Sequence, residues 1–404
     1  MNILLTPLTV RQWITGILGS WLVVWFLGPL VLDSILIRTY DPALNVNTLR
    51  PGDVVHWRSE GWGRTVIGPH GLPGWQPRVD DDEANSDNPS ISKVVIWGDS
   101  QVEGVCVDDR LKIHNQAIRI AQDEHQLAID CLPMGRSGAD ARDWQDLIAD
   151  ADKLWNPDLH IWVVTDLSDL TVAVSPDAAA NYRRWTVESP AWVKFAKQIQ
   201  AQALFAASKR IFRDPDTGEI RRFDFSLGPR THDSIANLTT DESEVLANNE
   251  QTAIALADLL SKLSTSYDGR IAILYAPATP RFSGGLVTDH PDDAAFDSIR
   301  EALESKGIAV GDCRYAFIDL WQSQGKIARG FNNGMPTYGH LNADGNRVVA
   351  EKIVAMLSTS RKVVQRNKVV GTLRRAVTSR RHGGACLLPY AEKTVAMLQE
   401  RLKR

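Results

Sequence analysis

The segment VVIWGDSQVEG at residues 94–104 decides how this sequence is interpreted. Its apolar run ends abruptly at Gly98-Asp99-Ser100, and Gly104 follows four residues after the serine. Strands often end in turns of Gly, Asp and Ser, so an ordinary turn is one interpretation. The other is that Ser100 is a nucleophile at the carboxyl end of a sheet, where open α/β folds place their ligand sites. In that case Gly98 lets the chain turn sharply, and a helix beginning beyond Ser100 would favour negative charge there.

Strands and helices alternate along the chain after this segment, which predicts a parallel sheet between helical layers. The fold class expected is therefore a three-layer, flavodoxin-like α/β/α domain. The predicted strands are 94–97, 127–132, 160–165, 270–277 and 315–320, and the predicted helices are 111–125, 141–154 and 345–357.

Composition shifts divide the rest of the chain. We predict an N-terminal membrane anchor, then a Gly/Trp-rich segment with an acidic linker, an α/β domain with an insertion, and a basic tail. The insertion contains one helical stretch from residue 191 and a second from an N-cap at Thr240 or Asp241. The predicted ranges are 1–40, 41–91, 92–358 with the insertion at 171–269, and 359–404.

The anchor is predicted from Trp13–Leu32, which contains 20 residues and no charged side chain. That length is about the span of a bilayer core, and no small-x-small cleavage site follows it. We therefore expect a single uncleaved span in preference to a signal peptide or a core helix. One arginine precedes the span and three follow it, a count that by itself favours a cytoplasmic domain.

Charge points away from nucleic acid as a partner. The net charge is −4, and no nucleic-acid-binding module is recognisable. Residues 361–404 nevertheless carry twelve Lys and Arg against two Glu. Three interpretations of this tail stand: a solvated appendage, a contact for anionic lipid headgroups, and a contact for an acidic polysaccharide.

The four cysteines are widely spaced and show no metal-ligand pattern, so we expect no metal and no cofactor. Buried free thiols are the simplest interpretation. A disulfide between Cys106 and Cys131 is the other one, if the domain lies in an oxidising compartment.

Three further segments follow predicted strands or precede the last helix, as catalytic groups of an open sheet would. MGRSGAD (134–140) offers the backbone N–H of Gly138, and VVTDLSDL (163–170) offers Ser168 as a neutral donor. YGHLNADGNRVVAEKI (338–353) places His340 in a Gly/Asn-rich loop before the last helix. Ester chemistry needs an activated hydroxyl, a base and oxyanion donors, and these segments contain a candidate for each.

This arrangement resembles the SGNH (GDSL-type) hydrolase family over residues 92–358. Gly98, Asp99, Ser100 and Gly104 match the family's GDSxxxG block, and Gly138 matches its oxyanion glycine. The sequence from His340 onward matches the block around the family's catalytic histidine. The resemblance implies ester chemistry, most often on acyl or acetyl groups of carbohydrates, with the backbone N–H groups of Ser100 and Gly138 as oxyanion donors. It also favours a domain in the periplasm or outside the cell.

Two positions depart from the family pattern. The third block normally carries an Asn donor, and here Leu167 or Ser168 stands nearest. Three residues before the histidine the family has Asp, and this chain has Thr337. A backbone carbonyl, Thr337 or Asp319, which is predicted to end the fifth strand, is then expected to orient the imidazole.

The sequence thus predicts a membrane-anchored serine esterase acting on acylated carbohydrate or cell-envelope polysaccharide. Two other functions stay open: an O-acyltransferase that uses the same site, and a catalytically degenerate fold that binds polysaccharide or scaffolds envelope-biosynthesis proteins. Trp57, Trp62 and Trp75 either stack on sugar rings or pack the segment before the domain.

Overall fold

The computed structural model describes eleven stretches of the chain and separates it into two compact units, Met1–Lys352 and Ile353–Arg404. The sheet and the site described below belong to the first unit. The basic tail and most of the predicted insertion lie outside the described residues. The described ranges are 9–31, 33–58, 60–77, 91–174, 188–198, 242–268, 270–277, 282–283, 286–287, 292–333 and 339–358.

The described strands form three two-stranded antiparallel sheets and one five-stranded parallel sheet. The strands, in chain order, are β1 Arg38–Asp41, β2 Val46–Leu49, β3 Val54–His56, β4 Arg64–Val66, β5 Ser92–Gly98, β6 Ile129–Gly135, β7 Leu159–Val164, β8 Ile271–Tyr275, β9 Phe282–Ser283, β10 Leu286–Val287 and β11 Ala309–Asp312.

Helices lie before, between and after the strands along the chain. They are α1 Val10–Val31, α2 Ser100–Glu103, α3 Ile113–His125, α4 Ala141–Trp155, α5 Leu167–Thr171, α6 Ala191–Gln198, α7 Glu242–Ser266, α8 Asp292–Ser305, α9 Arg314–Gln324 and α10 at residues 343–358.

The parallel sheet has the order β11-β8-β7-β5-β6. Every neighbouring pair is parallel, with Ile96 of β5 opposite Pro133 of β6 on one side and Ile161 of β7 on the other. The chain order of the strands reverses between β5 and β7. In doubly wound sheets this reversal opens a crevice at the carboxyl ends of the two strands. The predicted α/β/α class is confirmed, and the sheet directs the crevice to the residues after Gly98 and Val164.

Four of the predicted strands are present within a few residues of their expected bounds, but the fifth is wrong. Residues 315–320 lie in α9, and the edge strand is β11, which begins six residues before the predicted strand. The Asp312 carboxylate accepts a hydrogen bond from the Arg314 N–H, and Gly325 ends the helix in the left-handed conformation at φ 63°. These two helix ends override the apolar, strand-like composition of the segment.

The helical layers bury their apolar faces on the sheet. α4 begins with a capping box in which Asp140 and Asp143 satisfy each other's backbone N–H groups. Leu256 and Leu260 of α7 are fully buried in the same core as β5, β7 and β8. The carboxyl half of α7, inside the range predicted as an insertion, therefore belongs to a helical layer of the domain.

The segment before the domain packs onto it. Leu44, Leu72 and Trp75 join the core cluster that includes Trp97 of β5. The Trp75 indole N–H also donates to Asp130 of β6 over 2.9 Å. Leu44, Leu72 and Trp75 thereby attach this segment to the sheet.

Helix α1 has the length and composition of a membrane span. Its window Val10–Leu27 has a mean hydropathy of 1.3 and none of it is buried within the protein. Trp13, Ile17 and Phe26 are all more than half exposed. A signal sequence passes the same test of length and composition, so the helix supports either interpretation.

Cys106, Cys131 and Cys313 are buried free thiols, and the Cys106–Cys131 disulfide is not formed in the structure.

A histidine in the centre of the sheet makes stability depend on pH. The Trp97 indole N–H donates to His160 Nδ1 over 3.2 Å, and both side chains are fully buried. Burial lowers the pKa of His160 to about 4, although the neighbouring Asp152 carboxylate raises it and the Arg270 cation lowers it further. Because Nδ1 is an acceptor here, protonation of that nitrogen would remove the hydrogen bond.

The folded pKa of His160 lies below its unfolded value, so the unfolded chain alone gains this proton between about pH 6.5 and pH 4. We expect the free energy of unfolding to decrease as the pH is lowered through this window, by up to about 3 kcal/mol from this group. His160→Gln, which keeps an acceptor for Trp97, should flatten this part of the dependence. Urea unfolding of the full-length chain in detergent measures it, and the exposed His125→Gln is the control. Equal slopes for His160→Gln and wild type would contradict the assignment.

Candidate active site

Ser100 is the first residue of α2, directly beyond the end of β5. The Asp99 carboxylate caps this short helix by accepting from the Gln101 N–H over 2.8 Å. A Cβ on Gly98 would lie 2.4 Å from Val102 Cγ2, so the sharp turn requires glycine there. Gly104 ends the helix at φ 58°, a left-handed conformation that glycine adopts without strain.

The structure brings Ser100 and His340 into hydrogen-bond contact. Ser100 Oγ lies 2.9 Å from His340 Nε2, and His340 Nδ1 lies 2.6 Å from Glu60 Oε2. With the ring proton on Nδ1, the imidazole donates to Glu60, and its Nε2 lone pair accepts from the serine hydroxyl. These are the contacts of a serine–histidine–carboxylate triad.

Glu60 holds the backbone of His340 as well as its ring. The second carboxylate oxygen, Oε1, accepts from the His340 N–H over 2.6 Å. Gly339 makes this approach possible, since a Cβ there would lie 2.2 Å from Oε1. One carboxylate therefore fixes both the position of the loop and the rotation of the imidazole.

Other side chains fix the same loop from different elements. Gln101 of α2 accepts from the Leu341 N–H over 2.7 Å. The buried Arg329 donates to the Gly339 carbonyl over 3.0 Å and to the Ala276 carbonyl over 2.8 Å. The histidine loop is thus tied both to the helix that carries Ser100 and to the residue that follows β8.

Asn333 positions the loop that carries Glu60. Its side-chain oxygen accepts from the Gly61 N–H over 2.8 Å, and its amide N–H donates to the carbonyls of Arg58 and Gly61. Hydrogen bonds with Asn333 therefore hold the turn that places the Glu60 carboxylate beside His340.

Opposing effects set the protonation of the pair. Burial raises the pKa of Glu60, but the hydrogen bonds and charge of His340 outweigh it and hold the value below its usual range. Burial lowers the pKa of His340, and the hydrogen bonds with Cys106 and Glu60 more than reverse this and raise it. The site thus stabilises the imidazolium form, which a base needs after it takes a proton.

Thr165, which directly follows β7, contacts Asp99 in the turn before Ser100. The Thr165 hydroxyl donates to Asp99 Oδ2 over 3.3 Å, and burial raises the pKa of the Asp99 carboxyl. Ser168, the predicted donor, is instead an exposed residue of α5 whose backbone N–H donates to the Asp166 carboxylate.

Gly138 lies in the loop after β6 at φ 72°. The buried Glu103 of α2 accepts from the neighbouring Ser137 N–H over 3.0 Å, and the Arg136 N–H donates to the Gly98 carbonyl over 3.1 Å. The loop is therefore anchored at two points, to Glu103 of α2 and to Gly98 at the end of β5. The oxyanion role of Gly138 stays a prediction.

The two residues predicted to orient the imidazole do not do so among the described contacts. Asp319 is exposed on α9, because the segment predicted as a strand is a helix. Thr337 lies outside the described residues. The carboxylate on Nδ1 comes from Glu60, 280 residues before His340. No spacing within the histidine block signals it, and Glu60 is distinguished only as the one glutamate of residues 50–77.

Loss of the Glu60 charge tests whether the carboxylate supports the serine–histidine pair. We expect Glu60→Gln to slow the reaction of Ser100 with a fluorophosphonate by about 10³–10⁴-fold, the scale seen when a triad carboxylate becomes an amide. The physical reason is that an amide neither compensates the imidazolium charge nor selects the Nδ1–H tautomer. Labelling rates followed by intact-protein mass spectrometry measure the effect.

Asp319→Asn is the matched control, since it also removes one carboxylate charge but on an exposed helix position. It should react at the wild-type rate. A slow Asp319→Asn beside a normal Glu60→Gln would reverse the assignment of the acid.

Comparison with known proteins finds similarity only among solved structures. No family model and no curated protein matches the chain. The acetyl xylan esterase AlAXEase is 15% identical, with a TM-score of 0.35 over 65% of this chain and 98% of its own. A lipase/acylhydrolase from Enterococcus faecalis is 11% identical, with a TM-score of 0.34 over 66% of this chain and 95% of its own. A two-domain esterase active on acetylated mannans is 12% identical, with a TM-score of 0.35 over 67% of this chain and 50% of its own.

Proposed function

We propose that this chain is a serine esterase that cleaves acyl or acetyl esters. The observation that supports it is the line of contacts from Ser100 Oγ to His340 Nε2 at 2.9 Å and from His340 Nδ1 to Glu60 at 2.6 Å. A binding module or scaffold has no need of a hydroxyl, an imidazole and a carboxylate in this order. The contact therefore favours chemistry over a degenerate fold.

The proposed reaction begins with attack of Ser100 Oγ on the ester carbonyl carbon, while His340 Nε2 takes the hydroxyl proton. Glu60 stabilises the imidazolium that forms. The backbone N–H groups of Ser100 and Gly138 are the proposed oxyanion donors. The tetrahedral intermediate expels the alcohol, which leaves with the proton from His340, and Ser100 remains acylated.

Water completes the proposed cycle. His340 takes a proton from the water as its oxygen attacks the acyl carbon, and the proton returns to Ser100 Oγ as the acid leaves. A sugar hydroxyl in place of water would make the same chain an O-acyltransferase. Acceptor choice depends on how the pocket excludes water.

The proposed substrate class is an acylated carbohydrate, such as a cell-envelope polysaccharide. Trp62 supports this class: it lies two residues after Glu60, is 59% exposed, and has the Arg58 guanidinium 5.4 Å from its ring centroid. An exposed indole offers an apolar face to a sugar ring. Trp75 is buried and bonded to Asp130, so it packs the segment instead.

The proposed location is a membrane, with α1 as a single uncleaved span and the esterase domain in the periplasm or outside the cell. The exposed apolar surface of Trp13 and Phe26 supports a lipid environment for α1. An anchored esterase would act on polymers close to the membrane surface, where envelope-biosynthesis partners would also lie.

The first test compares fluorophosphonate labelling of wild type, Ser100→Ala and His340→Ala, with the full-length chain in detergent. We expect wild type to gain one adduct, Ser100→Ala none, and His340→Ala to react at least about 10³-fold more slowly, since a triad base contributes on this scale. Circular dichroism establishes that each variant is folded. Absence of labelling in folded wild type would sink the esterase proposal and favour the binding module.

Acceptor choice needs a separate measurement. An acetylated oligosaccharide is incubated with the protein, and free acetate and transacetylated sugar are followed by NMR. Acetate release supports the hydrolase, whereas transfer to added sugar without acetate release supports the acyltransferase.

Trp62→Ala tests the carbohydrate class. We expect KM for an acetylated oligosaccharide to rise about two- to tenfold, as loss of an aromatic stacking contact predicts, with kcat little changed. Hydrolysis of a small aryl acetate should stay at the wild-type rate, since that substrate lacks the sugar ring. Tyr315→Ala, another exposed aromatic residue but on α9, is the control. Equal KM values for wild type and Trp62→Ala would remove the stacking contact from the proposal.

A further inference from the structure

One buried thiol beside the triad has no part in the proposed reaction. Cys106 lies in the turn after α2 and is 1% exposed. One ligand atom each from Cys106, His340 and Glu60 lie within 4.8 Å of one another. A thiol, an imidazole and a carboxylate therefore converge on one point.

This donor set has the chemistry of a zinc site. Zn²⁺ binds thiolate, imidazole and carboxylate ligands, and sites with three protein ligands leave a fourth position for water or another group. A soft thiolate favours zinc over magnesium or calcium, which prefer oxygen. The thiolate and the carboxylate together also neutralise the two charges of the ion.

Solvent reaches part of the cluster. The side chains of His340 and Glu60 are 25% and 21% exposed, so an ion can approach them from outside. Cys106 lies behind them as the buried third ligand. The turn that carries it is close-packed, since a Cβ on Gly61 would lie 2.2 Å from the Cys106 carbonyl oxygen. The three ligands therefore come from braced backbone.

We propose that Cys106, His340 and Glu60 form a binding site for Zn²⁺ that reversibly inhibits the enzyme. The binding site rests on these three side chains, and the inhibition rests on the proposed function of Ser100 and His340. Cys106 is the ligand that distinguishes the metal site from the triad, because His340 and Glu60 belong to both.

Inhibition follows whichever imidazole nitrogen binds the ion. If Nε2 binds zinc, its lone pair is no longer available to the Ser100 hydroxyl. If Nδ1 binds zinc, the single proton of the neutral ring moves from Nδ1 to Nε2, which then cannot accept one. Binding also releases the Cys106 thiol proton, and no electron transfer is involved. Removal of the ion by a chelator returns the thiol proton and restores the activity.

Binding is measured with Co²⁺, whose bond to a thiolate gives a charge-transfer absorption in the near ultraviolet. The full-length chain in detergent, freed of metal, is titrated as wild type, Cys106→Ala, Cys131→Ala and Ser100→Ala. Cys131→Ala is the matched control because it also removes one buried free thiol, from β6. We expect the band in wild type, Cys131→Ala and Ser100→Ala, and its loss in Cys106→Ala.

Inhibition is measured as the rate of fluorophosphonate labelling against Zn²⁺ concentration, relative to the metal-free rate of each variant. Cys106→Ala should need at least about tenfold more zinc for half inhibition, since losing even an outer partner of a metal ligand costs about 10–100-fold in affinity. Cys131→Ala should match wild type. If Cys106→Ala does not fold, Cys106→Ser takes its place, with a hydroxyl that is a poor zinc ligand.

The outcomes separate the metal site from the proposed function. A thiolate band that depends on Cys106, in a chain whose Ser100 never reacts, supports the metal site and rejects the esterase. Equal zinc sensitivity of wild type and the Cys106 variant, or absence of the band, overturns the inference. Activation by zinc would overturn its inhibitory part.

Discussion

The hydrogen bonds between Glu60 and His340 are the interaction on which the arrangement of the site depends. One carboxylate accepts from both the backbone N–H and the ring of the same residue, each over 2.6 Å. A single contact of this kind would leave the loop or the ring free to rotate. Because both oxygens are occupied, loop position and imidazole orientation are set together. The serine needs this, since its 2.9 Å contact with Nε2 depends on both.

This interaction constrains residues that never touch the serine. Gly339 has to be glycine because Glu60 Oε1 occupies the space of its Cβ. Asn333 braces the turn of the acid, and Arg329 holds the Gly339 carbonyl from the direction of β8. The contact with His340 lowers the pKa of Glu60, and the contacts with Cys106 and Glu60 together raise the pKa of His340. Charge within the pair thus favours an imidazolium beside a carboxylate.

How much of the fold and of the site can be predicted from the sequence depends on how far apart along the chain the interacting residues lie. Ser100 and His340 are each signalled locally, by a strand that ends in a small-residue turn and by a loop before an amphipathic helix. The strands of the parallel sheet are likewise predicted from short apolar runs of sequence. Glu60 is not predictable in this way, since its partner lies 280 residues away and the expected position beside the histidine holds Thr337. The helix at Arg314–Gln324 was missed because apolar spacing in a short segment does not distinguish a strand from a buried helix.

Because Glu60 lies before residue 92, the part of the chain that could perform catalysis has to include the segment that precedes the predicted α/β domain. A boundary at residue 91, drawn where composition shifts, keeps Ser100, His340 and the sheet but separates them from Glu60. The hydrophobic core also includes residues from both sides of that boundary, because Leu44 and Leu72 pack in the same cluster as Trp97. The Gly/Trp-rich segment therefore supplies apolar burial to the fold and a carboxylate to the site. A chain that begins at residue 92 would retain Ser100 and His340 and lose the carboxylate that holds the imidazole.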